Sequence, residues 1–124
     1  MKLTEAEWQI MNALWQKHPA TAREIMDRLP PGVNWAYTTI KTMLTRLVEK
    51  QAVGEVKEGN TSVYEPRVSR QKARRSALRS LLDQAFDGAL GPLVHFLAEE
   101  EQLTAKEKKE LRKILEREAQ EKGE

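Results

Sequence analysis

Residues 35–50, WAYTTIKTMLTRLVEK, decide the fold of this chain. One face of this stretch carries apolar residues at the 3.6-residue spacing of an α-helix: Ile40, Met43, Leu44, Leu47 and Val48. The opposite face and its flanks carry polar residues: Thr38, Thr39, Lys41, Thr42, Thr45 and Arg46. Threonine is β-branched and a mediocre helix former, so four threonines on one exposed side indicate that their hydroxyls and methyls make contacts. The stretch predicts a helix over 36–50 that buries one side and offers the other to a partner.

Two shorter helices are predicted ahead of this one. Thr4 to Glu7 and Thr21 to Glu24 have the spacing of capping boxes, in which the hydroxyl accepts a first-turn N–H and the carboxylate accepts the cap's own N–H. They predict helices over 5–17 and 22–29. Prolines at the end of each segment should stop both helices, because the residue before a proline disfavours helical geometry.

A β-hairpin is predicted after the third helix. Residues 53–57 and 61–65 flank the turn Glu58-Gly59-Asn60, and Pro66 closes the second strand. Helix, helix, turn, helix and hairpin is the plan of a winged helix-turn-helix domain. The fold class that we expect is therefore mainly α with a small β-hairpin, with the winged-helix domain over 1–68.

The remaining residues, 69–124, are predicted to form a helical C-terminal domain. Helical patterns cover 69–87, 93–101 and 105–120, and Gly88, Gly91 and Pro92 interrupt the chain between the first two. A third capping box, Thr104 to Glu107, marks the start of the last helix.

Charge is distributed unevenly along the chain, although the net charge is only +2. Residues 1–80 carry 14 Lys and Arg against 8 Asp and Glu, whereas residues 81–124 carry 7 against 11. A basic first part suggests a polyanionic partner. If the third helix lies in the major groove of double-stranded DNA, the hairpin would place Lys57 and Asn60 beside the backbone or the minor groove.

Other classes of protein are disfavoured by what the sequence contains. The two histidines are far apart, and no phosphate loop, HExxH motif or EF-hand spacing is present, so we expect neither an enzyme nor a cofactor. No apolar run is long enough to span a membrane, and the absence of cysteine agrees with a cytoplasmic protein. A winged-helix adaptor that binds other proteins and not DNA is the alternative.

The stretch from Trp35 to Leu47 resembles the recognition helix of the penicillinase and methicillin-resistance repressor family, which also includes copper-responsive repressors. The opening LTEAEW at 3–8 resembles the family's first helix, and residues 103–115, with Glu-Leu-Arg at 110–112, are similar to its last helix. The resemblance implies a homodimeric, sequence-specific DNA-binding repressor that acts on a pseudo-palindromic operator. By the same resemblance, Lys41 and Thr42 would read base edges, and Thr39 and Arg46 would hold phosphates.

Two departures from the family pattern concern how DNA is released. Copper-responsive members carry Cys-x-Cys motifs, and this chain has no cysteine, which excludes thiolate copper sensing. The β-lactam-responsive members are cleaved at an Asn-Phe bond, and the aligned positions here are Phe96 and Leu97. A regulatory protease of other specificity, or another sensor, stays open as a partner.

Dimerisation is predicted for the C-terminal domain because its large apolar residues are too many for a lone helical tail to bury. The expected interface residues are Leu78, Leu81, Leu82, Phe86, Leu93, Leu97, Leu111, Ile114 and Leu115. The alternative is that the tail folds back on the first domain. A basic run over 67–79 could touch flanking phosphates or form a solvated helix face.

Overall fold

The computed structural model describes residues 2–99 and 103–122, within which six α-helices and three β-strands follow one another. In chain order they are α1 (Glu5–Gln16), β1 (Ala20–Thr21), α2 (Ala22–Asp27), α3 (Tyr37–Glu49), β2 (Val53–Glu58), β3 (Thr61–Pro66), α4 (Arg70–Ala85), α5 (Leu90–Glu99) and α6 (Ala105–Lys122). A mainly helical chain with a small antiparallel sheet confirms the expected fold class.

The starts of α1 and α2 are capped as the sequence predicts. In each, the threonine Oγ1 accepts the N–H of the glutamate three residues later, and that glutamate's Oε1 accepts the N–H of the threonine. The third box does the same for α6, with Thr104 and Glu107. Each box satisfies N–H groups that the first turn of a helix leaves without a carbonyl partner.

The wing is larger than the predicted hairpin. Strand β3 lies between β1 and β2, and both pairings are antiparallel. The loop of the hairpin has two residues, Gly59 and Asn60, and Gly59 has a φ of 66°, which suits a tight hairpin turn. Strand β1, with Ala20 opposite Tyr64, ties the chain between α1 and α2 to the wing.

A single buried cluster joins α1, α2, α3 and the sheet. Its fully buried large side chains are Ile10, Met11, Leu14, Ile25, Ile40, Leu44, Leu47 and Val53. The predicted α3 stripe is confirmed, because Ile40, Leu44 and Leu47 are buried and Met43 and Val48 pack at the edge of the cluster. On α1 the side chains of Ile10, Met11 and Leu14 are fully buried, whereas Trp15 is only half-buried.

Contacts divide the chain into two compact units, Met1–Leu78 and Arg79–Glu124, and the division falls inside α4. The first turns of α4 belong with the winged-helix unit for identifiable reasons. Trp15 Nε1 donates to the carbonyl of Val68 at 3.0 Å, the Arg70 guanidinium lies 5.7 Å from the Trp15 ring centre, and Ala73 is buried.

Within the second unit, α5 begins three residues earlier than predicted. Gly91 and Pro92 lie in its first turn, where proline is tolerated because first-turn N–H groups have no intrahelical acceptor. The predicted end of this helix, Glu101, lies outside the described residues. The ring centre of Phe96 lies 5.9 Å from that of Phe86. No helix among the described residues is long and apolar enough to cross a membrane.

Candidate nucleic-acid interface

Helix α3 is anchored on one side and open on the other. Ile40, Leu44 and Leu47 hold it against the core, while a row of polar side chains on the other side is exposed: Thr38, Thr39, Thr42, Thr45 and Arg46. The structure therefore places five of the six α3 residues singled out from the sequence on one accessible surface. The sixth, Lys41, is half-buried.

Two of the exposed threonines have hydroxyl protons that are already engaged. Thr42 Oγ1 donates to the Thr38 carbonyl at 2.9 Å, and Thr45 Oγ1 donates to the Lys41 carbonyl at 3.0 Å. A hydroxyl has one proton, so in this arrangement each side chain offers a partner a methyl group and acceptor lone pairs. Such a surface suits a thymine methyl or an amino group on a base edge, whereas a phosphate needs a donor.

Lys41 is turned toward the wing. Its Nζ donates to Tyr64 Oη at 3.2 Å and lies 5.7 Å from the centre of that ring. The hydrogen bond to Tyr64 raises the pKa of Lys41, although partial burial works in the opposite direction. The ammonium therefore stays charged across the physiological range.

The wing places Lys57 and Asn60 on the same side of the unit as Lys41. All three line a cleft of about 380 Å³ between the wing and the starts of α2 and α3. The cleft also brings in Arg23, whose guanidinium carbon is 5.0 Å from the Tyr37 ring centre. Sequence reasoning missed Arg23, because the local pattern around it is only that of a capped helix start.

The C-terminal end of α3 is held by an ion pair with α1. Lys50 Nζ donates to Glu7 Oε1 at 2.5 Å and to the Lys2 carbonyl at 3.0 Å. Glu7 is only 3% exposed. Burial raises the pKa of Glu7, but the hydrogen bonds from Lys50 and from the Thr4 N–H and hydroxyl outweigh it, and the pKa lies below its ordinary value. Helix α3 thus has a fixed end as well as a fixed face.

The predicted dimer residues differ in exposure within the single chain. Leu82 is buried, and Phe86, Leu93 and Leu97 are half-buried. Five others are exposed, from 41% at Leu111 to 60% at Leu115: Leu78, Leu81, Leu111, Ile114 and Leu115. Leu97, Leu111 and Leu115 line an apolar cleft of about 470 Å³ between α5 and α6.

The basic run at the start of α4 is mostly exposed. Arg70 stacks on Trp15, and Arg79 Nη1 donates to the Gly88 carbonyl at 3.4 Å. Neither contact indicates a nucleic-acid partner. The described residues contain no group of three or more His, Cys, Asp or Glu side chains that could hold a metal ion.

Comparison with known proteins shows similarity to repressor proteins along nearly the whole chain. The penicillinase repressor family model matches residues 3–117. The penicillinase repressor of Bacillus licheniformis is 31% identical over 115 residues, which are 93% of this chain and 90% of that protein. The methicillin resistance regulatory protein MecI of Staphylococcus aureus (strain N315) is 29% identical over 114 residues, which are 92% of this chain and 93% of that protein. The solution structure of the DNA-binding domain of the repressor BlaI matches with a TM-score of 0.51 and 31% identity, covering 57% of this chain and 87% of that chain.

Proposed function

The chain belongs to the penicillinase repressor family, and we propose that it is a sequence-specific transcriptional repressor that binds double-stranded DNA. The observation that carries this proposal is the exposed polar face of α3, which is rigidly supported by Ile40, Leu44 and Leu47 beneath it. A major groove roughly 12 Å wide admits one such helix. A repressor of this kind needs no enzymatic activity, in line with the names of its relatives.

The proposed DNA contacts come from two elements. Helix α3 supplies its polar face, and the wing supplies the side chains beside its turn. The proposed contact residues are Thr38, Thr39, Lys41, Thr42, Thr45, Arg46, Lys57 and Asn60. Within this set, the engaged hydroxyls of Thr42 and Thr45 favour contacts with bases over contacts with phosphates.

We further propose that the repressor acts as a homodimer on a pseudo-palindromic operator. Leu81, Leu111 and Leu115 are between 41% and 60% exposed in the single chain. Together they leave a large apolar surface in contact with water. A twofold dimer would bury it and would present two recognition helices to two half-sites. Because the second half-site then binds intramolecularly, the pair binds more tightly than either half alone.

Selection of bound duplexes from a random pool tests this function. We expect an enriched sequence with twofold symmetry, in which the half-site reveals the α3 contacts and the spacing reveals the dimer. Affinity for the selected duplex should fall steeply with salt, because each neutralised phosphate adds about 0.9 to the slope of log K against log salt. An adaptor that binds only other proteins would enrich nothing and would show no salt-dependent duplex binding.

Alanine substitutions then test the proposed surface. Lys41→Ala and Arg46→Ala should each weaken operator binding about tenfold or more, while circular dichroism and sedimentation stay as in the wild type. Lys17, exposed at the end of α1, offers a matched control, and Lys17→Ala should bind normally. Full affinity in both α3 variants would refute the placement of the interface.

A further inference from the structure

The cleft between α2, α3 and the wing is net cationic. Its cations come from three elements: Arg23 from α2, Lys41 from α3 and Lys57 from β2. Among its lining residues the one carboxylate is Glu55, on β2. Three cationic groups therefore share one small space with a single negative charge, so a bound anion would relieve their mutual repulsion.

Uncharged aromatic groups, and not carboxylates, hold two of these cations. Arg23 lies 5.0 Å from the Tyr37 ring centre, and Lys41 donates to the Tyr64 hydroxyl. Within residues 2–99 and 103–122, neither cation forms an ion pair. A ring face or a phenol positions a cation without cancelling its charge, so both keep their full charge for a ligand.

We propose that this cleft binds one phosphate of the DNA backbone through Arg23, Lys41 and Lys57, an inference that rests on the proposed DNA-binding function. If α3 lies in the major groove and the wing lies at the neighbouring minor groove, the sugar-phosphate backbone that separates the two grooves must pass between α3 and the wing. The cleft is at that place. A phosphate group carries a negative charge and several acceptor oxygens, so it can accept hydrogen bonds from several clustered Arg and Lys side chains at once.

In this site Lys41 has a role other than base readout. Its ammonium points into the cleft, toward Tyr64, while the exposed threonines occupy the face that would meet the bases. Lys41 should therefore add affinity without sequence preference, because phosphate contacts carry no direct sequence information. Tyr64, buried behind it, acts as a positioning residue.

Neutral phosphates provide a direct test. In the selected operator, one backbone position at a time is replaced by an uncharged methylphosphonate, symmetrically in both half-sites. We expect one position where this change weakens wild-type binding about tenfold or more. At that position it should weaken the already weaker Arg23→Gln and Lys41→Gln variants by no more than about twofold, because the contact is already lost. The control Lys17→Gln should respond like the wild type.

Two further variants separate a phosphate site from a merely structural cluster. Glu55→Gln removes the one repelling carboxylate and should tighten operator binding severalfold. Tyr64→Phe keeps the buried ring but frees the ammonium, so it should weaken the operator and a scrambled duplex by the same factor, with unchanged circular dichroism. A loss confined to the operator would mean that Lys41 reads a base, and this would overturn the assignment.

The remaining outcomes show whether the anion comes from DNA or from solution, and whether the phosphate site or the DNA-binding function itself is refuted. If no phosphate position distinguishes Arg23→Gln from the wild type, the inference is refuted while the DNA-binding function stands. Titration of the free protein with inorganic phosphate should show no saturable binding in the micromolar range; such binding, lost in Arg23→Gln, would assign the cleft to a free anion instead. If the wild type binds no duplex at all, the proposed function itself fails.

Discussion

Replacing Lys50 by methionine should destabilise the winged-helix unit by about 1–2 kcal/mol. The Lys50 ammonium is the one cation on the buried carboxylate of Glu7, whose Oε2 is buried without a hydrogen-bond partner within the described part of the chain. A hydrogen bond to a charged group contributes roughly 1.5–3 kcal/mol. The Lys50 side chain is 35% exposed, so water takes over part of the interaction, and the expected loss of about 1–2 kcal/mol lies around the lower end of that range. Methionine preserves much of the apolar stem.

Thermal unfolding followed by tryptophan fluorescence measures this loss. All three tryptophans, Trp8, Trp15 and Trp35, lie in the first unit, so the signal reports on that unit alone. For a unit of this size, 1 kcal/mol shifts the melting temperature by roughly 4–8 °C. In a Glu7→Gln background the same Lys50→Met change should cost less than half as much, because no buried charge is left unpaired. An equal cost in both backgrounds would refute the reasoning.

The same pair gives a pH dependence with a definite sign. The pKa of Glu7 is lowered in the folded protein, so its contribution to stability is complete above its ordinary value of 4.5 and is lost as the pH falls through the folded value. The stability difference between wild type and Lys50→Met should therefore be largest near neutral pH and shrink below pH 4.5. A difference that grows on acidification would contradict this account.

Three more predictions concern the interface, the dimer and the core. Thr42→Val should keep operator affinity within about threefold, whereas Thr42→Ser should lose about 0.8 kcal/mol of binding free energy per half-site, the contribution of one buried methyl group. Replacing the contacted thymine by deoxyuridine should abolish the difference between wild type and Thr42→Ser. A larger loss for Thr42→Val than for Thr42→Ser would be evidence against a methyl contact. Leu81→Asp or Leu111→Asp should sediment as monomers with much weaker DNA binding, and an unchanged dimer would reject the interface. Ile40→Ala should lower the free energy of unfolding, measured in urea, by about 2–5 kcal/mol, because it leaves a cavity beneath α3. A loss below about 1 kcal/mol would mean that neighbouring side chains move in and fill the cavity.

Features set by residues within a few positions of one another could be predicted from the sequence. The capping boxes at Thr4, Thr21 and Thr104 form as expected, because each needs only two side chains three residues apart. The bounds and buried stripe of α3 follow from its 3.6-residue periodicity.

Features that depend on distant parts of the chain could not be predicted. Strand β1 has two residues, too few to show alternation, and exists because Tyr64 and Val63 of β3 pair with it. The role proposed for Arg23 becomes visible only when α2, α3 and the wing converge on one cleft. The division inside α4 likewise depends on Trp15, more than fifty residues away from Arg70.

The proposed contacts separate two demands that a DNA-binding domain must meet. In the proposed interface, Arg23, Lys41 and Lys57 bind the DNA backbone in the cleft, while the side chains suited to base edges are the uncharged Thr42 and Thr45 on the outer face of α3. Substitutions in the cleft should therefore lower affinity for operator and scrambled duplex equally, and substitutions of the threonines should change which sequence is preferred. Because the two sets lie on different surfaces, their free-energy effects on operator binding should add. A variant that combines Lys57→Gln with Thr45→Ser tests this additivity, and a strong coupling between the two would show that affinity and specificity share the same contacts.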